Sequence, residues 1–184
     1  MPILGILASS VPAAAGDYES IATVTVGSGG AANVEFTSIP STYAHLQIRA
    51  LTFRTSEGNS LKVQYNSDTG NNYARHSIYG SGSAAAASAT TSTSFVELAW
   101  AGKTVTSGGS AAVMDILDYK DTNKYKTSRS LFGYDLNGSG YVVLASGLWM
   151  NTNAITSIKI TPDNPANGDF LQYSHFALYG IKSA

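Results

Sequence analysis

At 184 residues and a formal net charge of −1, the chain is long enough for one domain that buries roughly 70% of its unfolded surface without staples. Charged residues make up 12% of it, about half the usual share; nearly half the chain is Ser, Ala, Thr and Gly, and cysteine is absent. These totals exclude a disulfide framework and thiol chemistry and give nucleic acid no basic footprint to grip. They suit a protein packed among neighbours better than a free monomer.

The first sixteen residues carry Ile3, Leu4, Ile6, Leu7 and Val11, interrupted by Pro2, Gly5 and Pro12. Proline and glycine disfavour a helix, so this stretch reads as an extended N-terminal arm over 1–16. No Lys or Arg precedes its apolar run, which argues against an export signal. No apolar run approaches the ~20 residues of a spanning helix, and no membrane contact is expected. An apolar arm needs a surface to lie on; the expected one belongs to a neighbouring subunit, and the alternative is the arm's own domain.

Residues 17–184 read as a single all-β domain, an antiparallel β-sandwich of jelly-roll type with about 8–10 strands. In chain order, alternation marks strands at 20–26, at 33–38 with Val34 and Phe36 on one side, and at 46–53. The apolar parity changes at Ala50-Leu51, which predicts a β-bulge or a bend between sheets there. Further strands fall at 61–65, 73–79, 95–100 and 111–117. The uncharged, small-residue stretch 81–94 reads as a flexible loop or a loose edge, with one helical turn in its alanines. The clearest signal is 125–160. Two strands flank Asn137-Gly138, whose positive φ angles suit a tight hairpin. A third strand over 155–161 is expected to complete a central three-strand meander. A final strand covers 170–182. Turn signals at short intervals favour a sandwich over any α/β design, and an eight-stranded jelly roll with one added hairpin matches the count.

Catalytic chemistry is hard to find. There is no Gly-x-Ser-x-Gly elbow, no phosphate-cradling Gly-Lys-Ser/Thr and no marked carboxylate pair, so no enzyme activity and no cofactor is expected. His45, His76 and His175 are dispersed within strands and read as structural or surface residues. Asn66, Asp68 and Asn71, and separately Asp115, Asp118, Asp121 and Asn123, offer oxygens of the kind calcium takes. Neither stretch completes a calcium loop, so both read as turns and no metal is expected. Lys120, Lys124, Lys126 and Arg129 read as a solvated strand edge. Eleven tyrosines against six phenylalanines point to interfaces or sugar stacking. Tyr43, Tyr73, Tyr119, Tyr125 and Tyr134 lie near predicted loops and form the candidate loop surface; Tyr79, Tyr173 and Tyr179 are expected inside the sandwich.

The pieces Asn66-Ser-Asp-Thr-Gly-Asn-Asn-Tyr73, Leu148-Trp-Met-Asn-Thr-Asn-Ala-Ile155 and Phe176-Ala-Leu-Tyr-Gly-Ile181 give a chain that resembles small β proteins of tailed-bacteriophage virions, from about Gly16 to Lys182. The resemblance implies a virion structural protein, most simply a capsid cement (decoration) protein on the outer surface of the head. Its partner would then be the major capsid protein, and a homotrimer is the first oligomer to expect. The alternative within the same resemblance is a tail-fibre or receptor-binding module that takes host glycan on its tyrosine-rich loops.

Overall fold

The computed structural model describes residues 16–56, 59–164 and 168–182. The arm residues Ile3, Leu4, Ile6, Leu7 and Val11 lie outside that range. Among the described residues the chain is all-β, with twelve strands in two antiparallel sheets. They are β1 (Tyr18–Thr25), β2 (Val34–Phe36), β3 (His45–Thr52), β4 (Ser60–Tyr65), β5 (Tyr73–Gly80) and β6 (Ala85–Thr93). The second half gives β7 (Val96–Trp100), β8 (Ser110–Leu117), β9 (Lys126–Asp135), β10 (Gly140–Trp149), β11 (Ile158–Pro162) and β12 (His175–Ile181).

The large sheet has the order β1-β12-β3-β8-β9-β10-β5-β6, and the small one β2-β11-β4-β7. The pairing is nested: β1 with β12, β2 with β11, β3 with β8, β4 with β7. That nesting is the winding of a jelly roll. Two hairpins are inserted into it, where the sequence led us to expect one. β5–β6 and β9–β10 both join the large sheet and carry it four strands past the jelly-roll frame.

Alternation explains the layering. Leu61, Val63 and Tyr65 on β4, Ile158 and Ile160 on β11, and Leu46 and Ile48 on β3 all point inward and are essentially unexposed. The intervening side chains face outward. β7 is buried from Val96 through Ala99 because it packs against β8, β9, β10 and β5. Gly147 on β10 makes that approach possible: a Cβ there would meet Val96 Cγ1 at 2.5 Å and Ser128 Oγ at 2.7 Å. The predicted hairpin between β9 and β10 is present. Asn137 and Gly138 take φ of 57° and 125°, and Leu136 N–H donates to the Ser139 carbonyl at 2.8 Å.

Four expectations are corrected. No bulge interrupts β3, whose burial alternates without a break and whose register with β8 and β12 is continuous; Leu51 lies on the outer face, 42% exposed. Of the two readings of 81–94 the edge is the one found: 85–93 is a strand at the sheet edge, with no helical turn. β11 leaves β9 and β10 for the small sheet, so 125–160 is a hairpin plus a crossing strand. Lys126 and Arg129 lie on β9, in the interior of the sheet order. Lys126 is 1% exposed, and its ammonium donates to the carbonyls of Asp121, Lys124 and Thr152. Burial pushes its pKa below the ordinary lysine value.

Candidate functional site

The outer face of the large sheet is where this molecule departs from a self-contained sandwich. Register alone builds it. Across five strands one row reads Ala87, Ile78, Leu144, Leu131, Val113, ending at Arg49 on β3. The next row reads Gly80, Val142, Gly133, Ala111, Leu51, His175. Val142 is 66% exposed, Ile78 60% and Leu131 57%, with Leu144 and Val113 also open to solvent. These apolar side chains are neighbours on one face, since residues paired across strands project to the same side. A contiguous exposed apolar patch of this kind marks an interaction surface more often than a lone exposed leucine does.

A polar margin follows one row away: His76, Ser146, Arg129, Asp115, Gln47 and Tyr179. Gln47 Nε2 donates to Asp115 Oδ1 at 2.8 Å, and its Oε1 accepts from Tyr18 O–H at 2.5 Å and Arg49 Nε at 3.0 Å. Tyr18 and Tyr179 stack at 4.8 Å, with the Arg49 guanidinium 5.4 and 5.6 Å from their ring centres. Burial raises the Tyr18 hydroxyl above its ordinary pKa, only partly offset by Arg49. An apolar centre with a hydrogen-bonded polar rim is the anatomy of a protein–protein contact.

A second feature is polar and lies in a cleft between β5–β6 and β7. Glu97 is 7% exposed. Its Oε1 accepts from Ser60 O–H and from Trp100 Nε1 at 2.8 Å, and stands 3.5 Å from Arg75 Nη1. Arg75 lies 4.3 Å over the Phe95 ring, and Ser77 and Ser88 share a 2.9 Å bond across β5 and β6. The cleft of about 200 Å³ is smaller than drug-sized sites of roughly 300–1,000 Å³. Its groups bond mainly to one another, and their effect is to hold the inserted hairpin against β7.

The candidate loop tyrosines mostly leave the surface. Tyr43, Tyr73, Tyr119 and Tyr134 are buried, and Tyr125 alone of the five is open, at 52%. Each phenol found a local use: Tyr43 donates to Glu19, Tyr73 to the Asp68 carbonyl and Tyr119 to the Pro40 carbonyl, while Tyr134 packs on Tyr141. Tyr173, expected inside, is 59% exposed at a turn with φ of 72°. Tyr179 lies on the outer face, and Tyr79 faces Trp100 and Tyr141.

The oxygen-rich stretches serve as turns. Asn66 ties 154–157 through four bonds. Asp68 accepts from Trp149 Nε1 at 2.7 Å, Asn72 Nδ2 at 2.8 Å and Gly70 N–H at 2.9 Å. Burial works to raise the Asp68 carboxyl, but these donors outweigh it and leave its pKa below the ordinary value. Asp118 and Asp121 already hold a cation, the Lys124 ammonium, while Asp115 belongs to the Gln47 margin. Among the described residues no group of three acidic or histidine side chains is placed to hold a metal ion. His45 caps the Asp118 N–H at 3.0 Å, and His175 meets Thr25 Oγ1 at 3.0 Å.

No protein-family model matches the chain, and no curated protein or solved structure matches it at a significant level.

Proposed function

We propose that this chain is a structural protein that holds an assembly together, and that it does so as a capsid cement protein bridging neighbouring shell subunits. The observation that supports this reading is the apolar outer face of the large sheet, with Ile78, Leu131, Val142 and Leu144 exposed together. Its occupant is the leading stretch of a neighbouring copy. Residues 1–15 contain five large aliphatic side chains and no Asp, Glu, Lys or Arg, so they match a face whose two central rows are nearly uncharged. The described chain begins at Gly16, beside β1 at one end of the sheet. Fifteen extended residues reach ~50 Å, enough to cross to the next subunit.

Cohesion then comes from burial. An arm covering ~500 Å² of apolar surface at ~25 cal/mol/Å² contributes about 12 kcal/mol gross, before ordering and association costs remove much of it. Repeated around a closed ring, for which a trimer is the simplest case, a modest net gain per contact adds up across a shell. The capsid and its major shell protein enter through the resemblance to tailed-phage virion proteins.

Deleting residues 2–14 tests the reading. The truncated chain is expected to keep its melting temperature and to lose both ring formation and binding to shells. A truncated chain that assembles and binds as the full one does would overturn it.

A further inference from the structure

We propose that β6 is a self-association edge, pairing antiparallel with β6 of a second copy across a two-fold axis to join two large sheets into one. The inference goes beyond the arm contact and rests on a separate observation, the contrast between the two ends of the large sheet.

At one end, β1 is protected. Its register with β12 is broken between Ser20 and Ala22. Charges crowd its start, with Asp17, Glu19 and an ion pair from Glu19 to Lys182. A bulge and charged side chains are the devices by which natural sheets prevent strand addition. Lys182 N–H also donates to the Asp17 carbonyl at 2.8 Å, tying down the backbone there.

At the other end, β6 carries no charge, and its one irregularity lies past Thr90. Its nine residues, AAASATTST, include no charge, proline or glycine. It is open to solvent on both faces along most of its length. From Ala85 to Thr90 it runs in register against Gly80 to Arg75, and the irregularity comes only beyond that, where Ser92 takes a φ of 57°. Among the described residues no strand pairs with its other side. The six-residue run 85–90 therefore presents a straight row of backbone donors and acceptors. The hairpin behind it is braced by Arg75–Glu97 and Ser77–Ser88, so the edge is held in strand geometry before any partner arrives.

What such an edge binds is another strand, because its chemistry is main-chain hydrogen bonding. A second β6 suits it for a physical reason. Ala85, Ala87 and Ala89 lie on the outer side and Ala86, Ser88 and Thr90 on the inner. In antiparallel self-pairing no charge meets its like, and no side chain larger than threonine has to be accommodated. The row Ala87, Ile78, Leu144, Leu131, Val113 then continues across the dyad into its symmetry mate. A two-fold contact through β6 and a ring contact through the arm together link copies into an extended net or closed shell.

The test uses the full chain, whose lack of cysteine makes introduced thiols unambiguous. Sedimentation equilibrium is run on the unmodified protein, on Ala87→Lys/Ala89→Lys, and on the chain lacking residues 2–14 with and without that lysine pair, because Ala87 also borders the face assigned to the arm. Single cysteines are then placed in turn at 85–90 and oxidised. The expected result is self-association that the lysine pair weakens at least about tenfold with no change in melting temperature, together with rapid disulfide-linked dimers at dyad-related positions. A monomer at every concentration, association indifferent to the lysines, or cysteines that do not cross-link would overturn the inference. Self-association lost on arm deletion but kept by the lysine variant would also overturn it, while leaving the arm contact intact.

Discussion

The two faces of the eight-stranded sheet are made by the same strands and meet opposite surroundings. Along β9 and β10 the inward Phe132, Val143 and Trp149 are at most 3% exposed, while Leu131, Val142 and Leu144 between them lie in water. A strand with one solvated face ordinarily alternates apolar with polar. Here the middle of the sheet is apolar on both sides, as in a strand covered twice. The inner cover is the small sheet. On the proposed reading the outer cover is the arm of a neighbouring copy, and the difference then separates residues that hold the fold from residues that hold the assembly.

The largest expected effects fall on the inner face. Trp149→Ala removes a 1% exposed ring that packs on Tyr65 and Tyr73 and donates to Asp68. A loss of about 3–5 kcal/mol is expected in denaturant unfolding. Glu97→Ala strands Arg75 beside Phe95 and also frees Ser60 and Trp100 from their acceptor; a loss of about 3 kcal/mol is expected. Asp68 gives a pH signature. Its folded pKa lies below the ordinary 3.8, so its stabilisation is complete above that value and is lost as pH falls through the folded one. Asp68→Asn is expected to flatten the acid limb of a stability–pH curve; an unchanged limb would show that the Trp149 and Asn72 bonds carry no charge-dependent stability. The smallest effect on stability, and the sharpest contrast, belongs to the outer face. Leu131→Ser or Leu144→Ser is expected to change unfolding free energy by no more than about 0.5 kcal/mol. The same substitutions are expected to weaken association severalfold.

Much of this architecture was legible in the chain. Alternation located β4, β5, β7 and β8, and Asn137-Gly138 fixed the β9–β10 turn because few residue pairs accept two positive φ angles. Each error has its own physical cause. At Leu51 an exposed apolar residue looked like a change of register, since alternation assumes that apolar means inward. In 85–93 small residues on both sides left no alternation to detect, although an edge strand needs none. β11 was assigned to the wrong sheet because adjacency in sequence outweighs a crossing that only the three-dimensional winding reveals. The tyrosines were placed by their nearness to loops. Burial of Tyr43, Tyr73 and Tyr119 depended on partners at Glu19, Asp68 and Pro40, two of them more than twenty residues away. The apolar outer face had the clearest missed signal: Leu131, Val142 and Leu144 are off-phase apolar residues of β9 and β10.

The most direct test of the outer face as a contact surface is sedimentation of the full chain beside an Ile78→Ser/Leu131→Ser/Leu144→Ser variant, with melting curves for both. The account predicts that the variant melts with the parent and sediments as a smaller species. A variant that melts with the parent and associates just as strongly would contradict it.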